Sequence, residues 1–113
     1  MLKPINRLKK RKEFAYLYNN GKAVHTSHLT LVYLPTKYRP LKVGFSVAKK
    51  IGKAYMRNLI KRRLRAIMRD IVPTLPSDYN VVIIAKSGIE TISYGALRVE
   101  LGQLVNKSGL KKC

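Results

Sequence analysis

The sequence predicts a single α+β domain, because helical and strand periodicities alternate along 113 residues whose apolar content is enough for one core. Segments with apolar residues at every third or fourth position indicate helices, and segments in which every second residue is apolar indicate strands. Hydrophobic residues make up 46% of the chain, which favours a folded protein over a disordered one. A chain of this length builds one core and not two. We therefore expect one domain over residues 1–113, with a basic arm at about 1–8 and a frayed tail at about 108–113.

The strongest compositional signal is charge. The chain carries 24 Lys and Arg against five Asp and Glu, a formal net charge of +19. Such a charge opposes compaction and favours binding to nucleic acid or to an anionic surface. The single cysteine, Cys113, excludes an internal disulfide and is typical of a reducing compartment. The sequence has neither an apolar run long enough to span a membrane nor a signal-peptide pattern, so we expect a cytoplasmic protein.

The first helix is predicted from about Lys9 to Asn20, with Gly21 as a left-handed C-terminal cap. Residues 1–12 carry six cations and no acid, a composition that also suits a disordered arm. Three residues share the apolar face of this helix, and core packing is their first interpretation: Phe14, Leu17 and Tyr18.

Two strand patterns follow. Residues 22–34 alternate with period two, but residues 25–28 interrupt the run, so two short strands and one bulged strand are both possible. Residues 42–48 alternate again and have one large apolar face. The opposite face of this second run is small and polar, which suggests a floor left open for an extended ligand. The large face is Val43, Phe45 and Val47, and the small one is Lys42, Gly44, Ser46 and Ala48.

The stretch Lys49 to Arg69 holds nine Lys or Arg in 21 residues, and the first acid after it is Asp70. Helical spacing places an apolar stripe on one side and cations on the other. A solvent-exposed helix normally alternates the signs of its charges, whereas this one has no carboxylate between its cations. Its outer face therefore favours contact with a polyanion. The stripe is Met56, Ile60, Leu64, Ile67 and Ile71; opposite lie Asn58, Arg62, Arg65 and Arg69, with Arg57 and Lys61 on one flank.

The last third predicts a strand and a helix. Residues 79–85 are apolar on both faces, as in a strand buried inside a sheet. Ser93 is expected to cap a helix that runs to about Asn106. The expected inner stripe of this helix is Tyr94, Leu97, Leu101, Leu104 and Val105.

The residues do not indicate a catalytic centre. The acids are scattered over separate elements, so they form neither an acid–base pair nor a metal cluster. His25 and His28 have no cysteine partners, and we interpret them as surface or strand residues rather than metal ligands. The five acids are Glu13, Asp70, Asp78, Glu90 and Glu100.

RNA binding has better support. Arginine side chains offer forked donors to phosphate oxygens, and Asn58 can reach a sugar hydroxyl or a base edge, although it can also be a merely tolerated helix residue. Phe14 and Tyr18 lie one turn apart and can stack exposed bases, with core packing as the alternative.

Three segments resemble a known family. The run KVGFSVAKKIGKAYMRNLIKRRLR, residues 42–65, resembles the signature of the bacterial ribonuclease P protein subunit, and residues 6–22 and 78–86 are similar to its start and to its late strand. The resemblance covers nearly the whole chain in the right order. It has three departures: Tyr18 stands where Phe is frequent, Leu59 where a basic residue is frequent, and Ala48 where Ser is frequent.

The resemblance implies a fold and a function. The implied fold is a two-layer α/β sandwich in the order α-β-β-β-α-β-α, with a mostly antiparallel four-stranded sheet and a left-handed crossover around the basic helix. The implied role is that of a subunit without catalytic residues, which helps the catalytic RNA of ribonuclease P to remove the 5′ leader of precursor tRNA. The free protein is expected to be monomeric. Magnesium is then bound by the RNA subunit and the substrate rather than by this chain. A ribosomal or other structural RNA-binding protein is the alternative.

The resemblance also implies two sets of contact residues. Those that contact the catalytic RNA are Lys53, Arg57, Asn58, Lys61, Arg62, Arg65 and Arg69. Those that line the cleft for the single-stranded leader are Phe14, Tyr18, Val32, Ser46, Lys49 and Lys50.

Overall fold

A computed structural model describes residues 11–37 and 41–110. Within these ranges the chain forms three α-helices and four β-strands in the predicted order. The predicted arm at about 1–8, the start of the first helix at Lys9 and the end of the tail at 111–113 lie outside the described residues. The elements are α1 (Arg11–Asn20), β1 (Lys22–His25), β2 (Leu29–Pro35), β3 (Lys42–Ser46), α2 (Ala54–Ile71), β4 (Tyr79–Ala85) and α3 (Tyr94–Ser108), with 3₁₀ turns at Lys49–Ile51, Val72–Thr74 and Ile89–Thr91.

The four strands form one mixed sheet in the order β1-β2-β4-β3. Strands β1 and β2 form an antiparallel hairpin. Of the two alternatives for residues 22–34, two short strands is therefore correct and one bulged strand is wrong. Strand β4 pairs antiparallel with β2 and parallel with β3, so the sheet is mostly antiparallel, as expected. The interior position of β4 explains why its sequence is apolar on both faces. Helix α2 makes the parallel connection from β3 to β4, and the left hand of this crossover stays a prediction.

One face of the sheet packs against α2 and α3 and forms the main core. The predicted stripe of α2 faces inwards, with Ile60, Leu64 and Ile67 buried and Met56 and Ile71 half-buried. Ser93 caps α3 as predicted, because its hydroxyl accepts a hydrogen bond of 3.1 Å from the Ala96 amide.

Two details at α3 differ from the expectation. Tyr94 was expected on the inner stripe, but it is 39% exposed, because it lies in the first turn and its hydroxyl accepts a hydrogen bond from Arg98. The tail was expected to fray from about residue 108, but Gly109 ends the helix in the left-handed conformation and turns the chain so that Leu110 is buried in the core.

The second face of the sheet packs against α1. Leu17 of α1 is buried against Val32 and Val82, with Phe14 and Ile84 half-buried around them. The apolar face of α1 therefore docks as predicted at Leu17 and partly at Phe14. Tyr18, predicted on the same face, remains 45% exposed because it lies at the border of the contact.

The prediction that Gly21 caps the first helix in the left-handed conformation is wrong. Among the described residues the left-handed conformation occurs at Gly88 and Gly109, and Gly21 does not adopt it. Instead, a Cβ atom at this position would lie 2.7 Å from the Leu17 carbonyl oxygen and 2.8 Å from Val32 Cγ1. The glycine is required because the Leu17 carbonyl of the helix end and Val32 on β2 both come too close to this position for a side chain, and not because of a turn conformation.

We expect Gly21→Ala to destabilise the protein by about 1–3 kcal/mol, because backbone and a buried methyl group must both move to admit the new carbon. The measurement is the free energy of unfolding in urea. The matched control is Gly102→Ala, where nothing lies within 4 Å of the added Cβ and the interior of α3 favours alanine. Equal effects of the two substitutions would contradict the close-packing role of Gly21.

A carboxylate on α3 holds the turn between β1 and β2. Glu100 accepts hydrogen bonds from the Thr26 hydroxyl at 2.7 Å, the His28 amide at 2.8 Å and His28 Nδ1 at 2.8 Å. Two lysines add bonds to the same turn, from Lys86 Nζ to the Thr26 carbonyl at 2.8 Å and from Lys107 Nζ to the His25 carbonyl at 2.7 Å. His28 therefore has a structural partner, in keeping with its interpretation as a strand or surface residue.

We call the hydrogen bonds of Glu100 to Thr26 and His28 the clamp. The clamp makes the stability of the fold depend on pH in the acid range. Burial by itself raises the pKa of Glu100, but the hydrogen bonds from His28 and Thr26 outweigh it and lower the pKa below its ordinary value of 4.5. A lowered pKa in the folded state stabilises the fold above pH 4.5, and this stabilisation is lost as the pH falls through the folded value.

We expect Glu100→Gln to cost about 1–3 kcal/mol at neutral pH and to flatten the acid limb of the stability curve. Unfolding in urea between neutral and acidic pH measures both effects. Glu90→Gln is the control, since Glu90 is exposed and accepts only a local bond from the Gly88 amide. The clamp is unimportant if both variants follow the wild-type curve.

Candidate nucleic-acid interface

The outer face of α2 carries a continuous set of cations. Because its apolar stripe faces the core, the predicted RNA-contact residues point away from it. Helix α2 has one acid, Asp70, at its C-terminal end, where Arg98 Nη2 lies 2.6 Å from its carboxylate. The Arg98 hydrogen bond lowers the pKa of Asp70 and keeps this charge engaged at the end of the helix. Of the predicted RNA-contact residues, the exposed ones are Lys53, Asn58, Arg62 and Arg69, and the half-exposed ones are Arg57, Lys61 and Arg65.

The start of α2 adds to the positive potential. The 3₁₀ turn that precedes it exposes Lys49 and Lys50, and Lys53 takes the N-cap position in an extended conformation. Arg57 Nε donates a hydrogen bond of 3.2 Å to the Gly52 carbonyl, which fixes the side chain against this turn. The helix N-terminus itself carries a partial positive charge. Helix dipole and lysines therefore attract phosphate at the same place.

The predicted leader cleft lies on the other face of the sheet. The strand register places Thr30, Ile84 and Ser46 side by side on the face that carries α1. Helical spacing turns Phe14 and Tyr18 towards one side of α1, with ring centroids 6.3 Å apart and planes tilted by 53°. Tyr18 is open to solvent, while Phe14 is half-buried and belongs to both the surface and the small core.

The structure qualifies one residue of the cleft. Val32 is only 6% exposed because Leu17 lies over it, so it forms floor beneath the helix rather than surface that a nucleotide can contact. Ser46 is half-exposed, and Lys49 and Lys50 lie three and four residues further on, on the exposed turn. Five of the six predicted cleft residues are therefore accessible, and their role in leader binding stays a prediction.

Two exposed tyrosines were not singled out from the sequence. Tyr55 is 68% exposed and lies on the cationic face of α2 near Asn58 and Arg62, and Tyr16 is 63% exposed on α1. Both fall outside the apolar stripe of their helices, and this spacing was the signal that could have identified them.

Two further kinds of function, metal binding and membrane insertion, were checked against the described residues. Within residues 11–37 and 41–110, no three His, Cys, Asp or Glu side chains are grouped in a way that could hold a metal ion. None of the helices in these ranges is both long and apolar enough to cross a membrane.

The comparisons of this chain with known proteins all match the same protein family. A family model described as Ribonuclease P matches residues 2–109. The chain is 37% identical over 114 residues to the ribonuclease P protein component of Microcystis aeruginosa, covering 96% of this chain and 95% of that one. It is 35% identical over 109 residues to the component of Streptococcus agalactiae, covering 96% and 99%.

Solved structures of low sequence identity share the fold. The Staphylococcus aureus RNase P protein superimposes with a TM-score of 0.89 at 22% identity, covering 95% of this chain and 98% of that one. The Thermotoga maritima RNase P protein gives 0.81 at 24% identity, covering 89% and 96%.

Proposed function

The chain belongs to the ribonuclease P protein family, and from that premise we propose how it binds its RNA partners. As a protein component of ribonuclease P, it takes part in an endoribonuclease complex that processes tRNA. We propose that it binds the catalytic RNA through the outer face of α2 and the 5′ leader of precursor tRNA in the cleft beside α1. The observation that carries the proposal is the cationic outer face of α2, which has no acid before Asp70.

The α2 face suits structured RNA. Arginine donates two parallel hydrogen bonds to a phosphate, and each phosphate that is neutralised releases counterions. Arg57 is already held against the Gly52 carbonyl, so it loses less conformational freedom on binding than a free arginine. Asn58 lies among these cations and adds a donor and an acceptor for a sugar or base edge.

The cleft suits single-stranded RNA. Its two rings, Phe14 and Tyr18, lie on the face of the sheet that also carries Ser46, and the exposed Lys49 and Lys50 lie on the turn after β3. Stacking on aromatic rings accepts any base, and lysines hold the backbone without reading sequence. A site of this kind can bind leaders of different sequence.

Bond cleavage is proposed to take place in the RNA subunit, with magnesium bound by the RNA and the substrate. Three of the five acids are engaged with side chains of this chain: Asp70 with Arg98, Glu100 with His28 and Glu13 with Lys42. Carboxylates already held by other side chains of the protein are poorer ligands for a hydrated magnesium ion than free ones.

The test is cleavage of precursor tRNA by the catalytic RNA at low magnesium, with and without this protein. We expect the protein to stimulate cleavage and to be inactive without the RNA. Binding of the catalytic RNA without any stimulation would instead indicate a structural RNA-binding protein. Cleavage by the protein alone would place the active site in this chain.

The charge count also predicts a steep salt dependence. We expect the logarithm of the association constant to fall linearly with the logarithm of the salt concentration, by about 0.7–0.9 for each phosphate neutralised. Filter binding of the catalytic RNA over a series of potassium chloride concentrations measures this slope. An affinity that does not change with salt would contradict the proposed phosphate contacts.

A further inference from the structure

Helix α1 divides the second face of the sheet into two. Leu17 packs on the row formed by Val32 and Val82, in the middle of this face. The cleft proposed for the leader lies on the side of α1 where Phe14 and Tyr18 project. On its other side, the register places Leu34 next to Asn80.

A groove of about 380 Å³ occupies this other side. We call it the α1 groove. Five of the residues that line it matter for ligand binding: Lys12, Glu13, Tyr16, Leu34 and Asn80.

The chemistry of the α1 groove matches a nucleotide. Tyr16 is a broadly exposed ring in its wall, and Leu34 gives it an apolar floor. Asn80 offers an amide donor and acceptor, the groups that pair with a base edge. Lys12 is exposed at the rim, where a phosphate of the same nucleotide can lie.

Charge favours the same ligand. The α1 groove contains one carboxylate, Glu13, and Lys42 Nζ lies 3.8 Å from it. With that charge compensated and a net charge of +19 on the chain, the potential favours an anionic chain such as RNA.

We propose that the α1 groove binds an unpaired nucleotide of the precursor-tRNA leader, upstream of the nucleotides in the cleft. The inference rests on the proposed function. The leader is the appropriate RNA because the groove and the cleft share one face of the sheet and only α1 separates them. The surface proposed for the catalytic RNA belongs to α2, which packs on the opposite face. At the described start of α1, Lys12 lines the groove and Arg11 is exposed beside it along the helix.

The experiment compares binding of precursor tRNAs with short, intermediate and long leaders, and of mature tRNA, to the assembled holoenzyme. We expect Tyr16→Ala to lower the affinity about fivefold to a hundredfold for long leaders only. Tyr16→Phe keeps the ring and should bind as the wild type does. Lys12→Ala, which leaves the packing of α1 unchanged, should cause a smaller, salt-dependent loss with the same dependence on leader length. Tyr94→Ala, an exposed tyrosine on α3, is the control and should change nothing.

The outcomes separate this inference from the proposed function. Tyr18→Ala should weaken binding of intermediate leaders as well, and its failure to do so would count against the cleft, not against the groove. A loss with Tyr16→Ala that is equal for mature tRNA and every leader would overturn the inference, as would no loss at any length. A weakened affinity of Tyr16→Ala for the catalytic RNA alone would overturn it too, because the groove would then belong to the other RNA.

Discussion

The double substitution of Lys61 and Arg62 by Ala is expected to weaken binding of the catalytic RNA more than a hundredfold without unfolding the protein. Both side chains lie off the buried stripe of α2, so their removal leaves no cavity. Each charge-assisted contact to phosphate is worth about 1.5–3 kcal/mol, and a loss of 1.4 kcal/mol is about tenfold in affinity. The slope of affinity against salt should also become shallower, because fewer counterions are released.

The control removes the same charge elsewhere. Lys22→Ala together with Lys37→Ala also subtracts two cations, but from exposed positions outside α2, at the start of β1 and just after β2. Titration of labelled catalytic RNA gives both affinities, and circular dichroism tests the fold. An equal loss with both pairs would mean that net charge alone drives binding, and an unfolded α2 variant would mean that these residues are structural.

The sequence revealed this interface because its pattern is local. Helical spacing separates the stripe of Ile60, Leu64 and Ile67 from the cations, and no distant contact is needed to read it. Met68 was the one buried residue of α2 that the stripe did not include. It is buried because α2 packs against α3 as well as against the sheet, and the second partner widens the apolar face.

Features that depend on distant parts of the chain could not be predicted in this way. The parallel pairing of β3 with β4 joins strands on either side of α2, and no local signal specifies it. Gly21 has the sequence position of a helix cap, but the close approach of Val32 from β2, which adds to that of the local Leu17 carbonyl, has no signal in the neighbouring sequence. The burial of Val32 and the exposure of Tyr18 have the same cause, since both depend on where α1 crosses the sheet.

The position of α1 therefore decides how the leader cleft is tested. Tyr18 is open enough to be truncated safely, whereas Phe14 also fills part of the small core beside Leu17. A change of Phe14 to Ala would lose stability as well as a ring, because removal of a fully buried Phe costs about 3–5 kcal/mol and this one is half-buried. Phe14→Leu keeps apolar volume and removes the aromatic surface.

The double variant Phe14→Leu with Tyr18→Ala is expected to weaken binding of precursor tRNA by about 1–3 kcal/mol for each base that loses its stack. Mature tRNA has no leader, so its affinity should change much less. The measurements are both dissociation constants on the holoenzyme and the melting temperature of the protein. If both RNAs lose affinity equally, or the melting temperature falls sharply, the two rings serve the core and not the leader. A selective loss for precursor tRNA with an unchanged melting temperature assigns them to the leader, because a packing defect cannot distinguish two RNAs that differ only at the 5′ end.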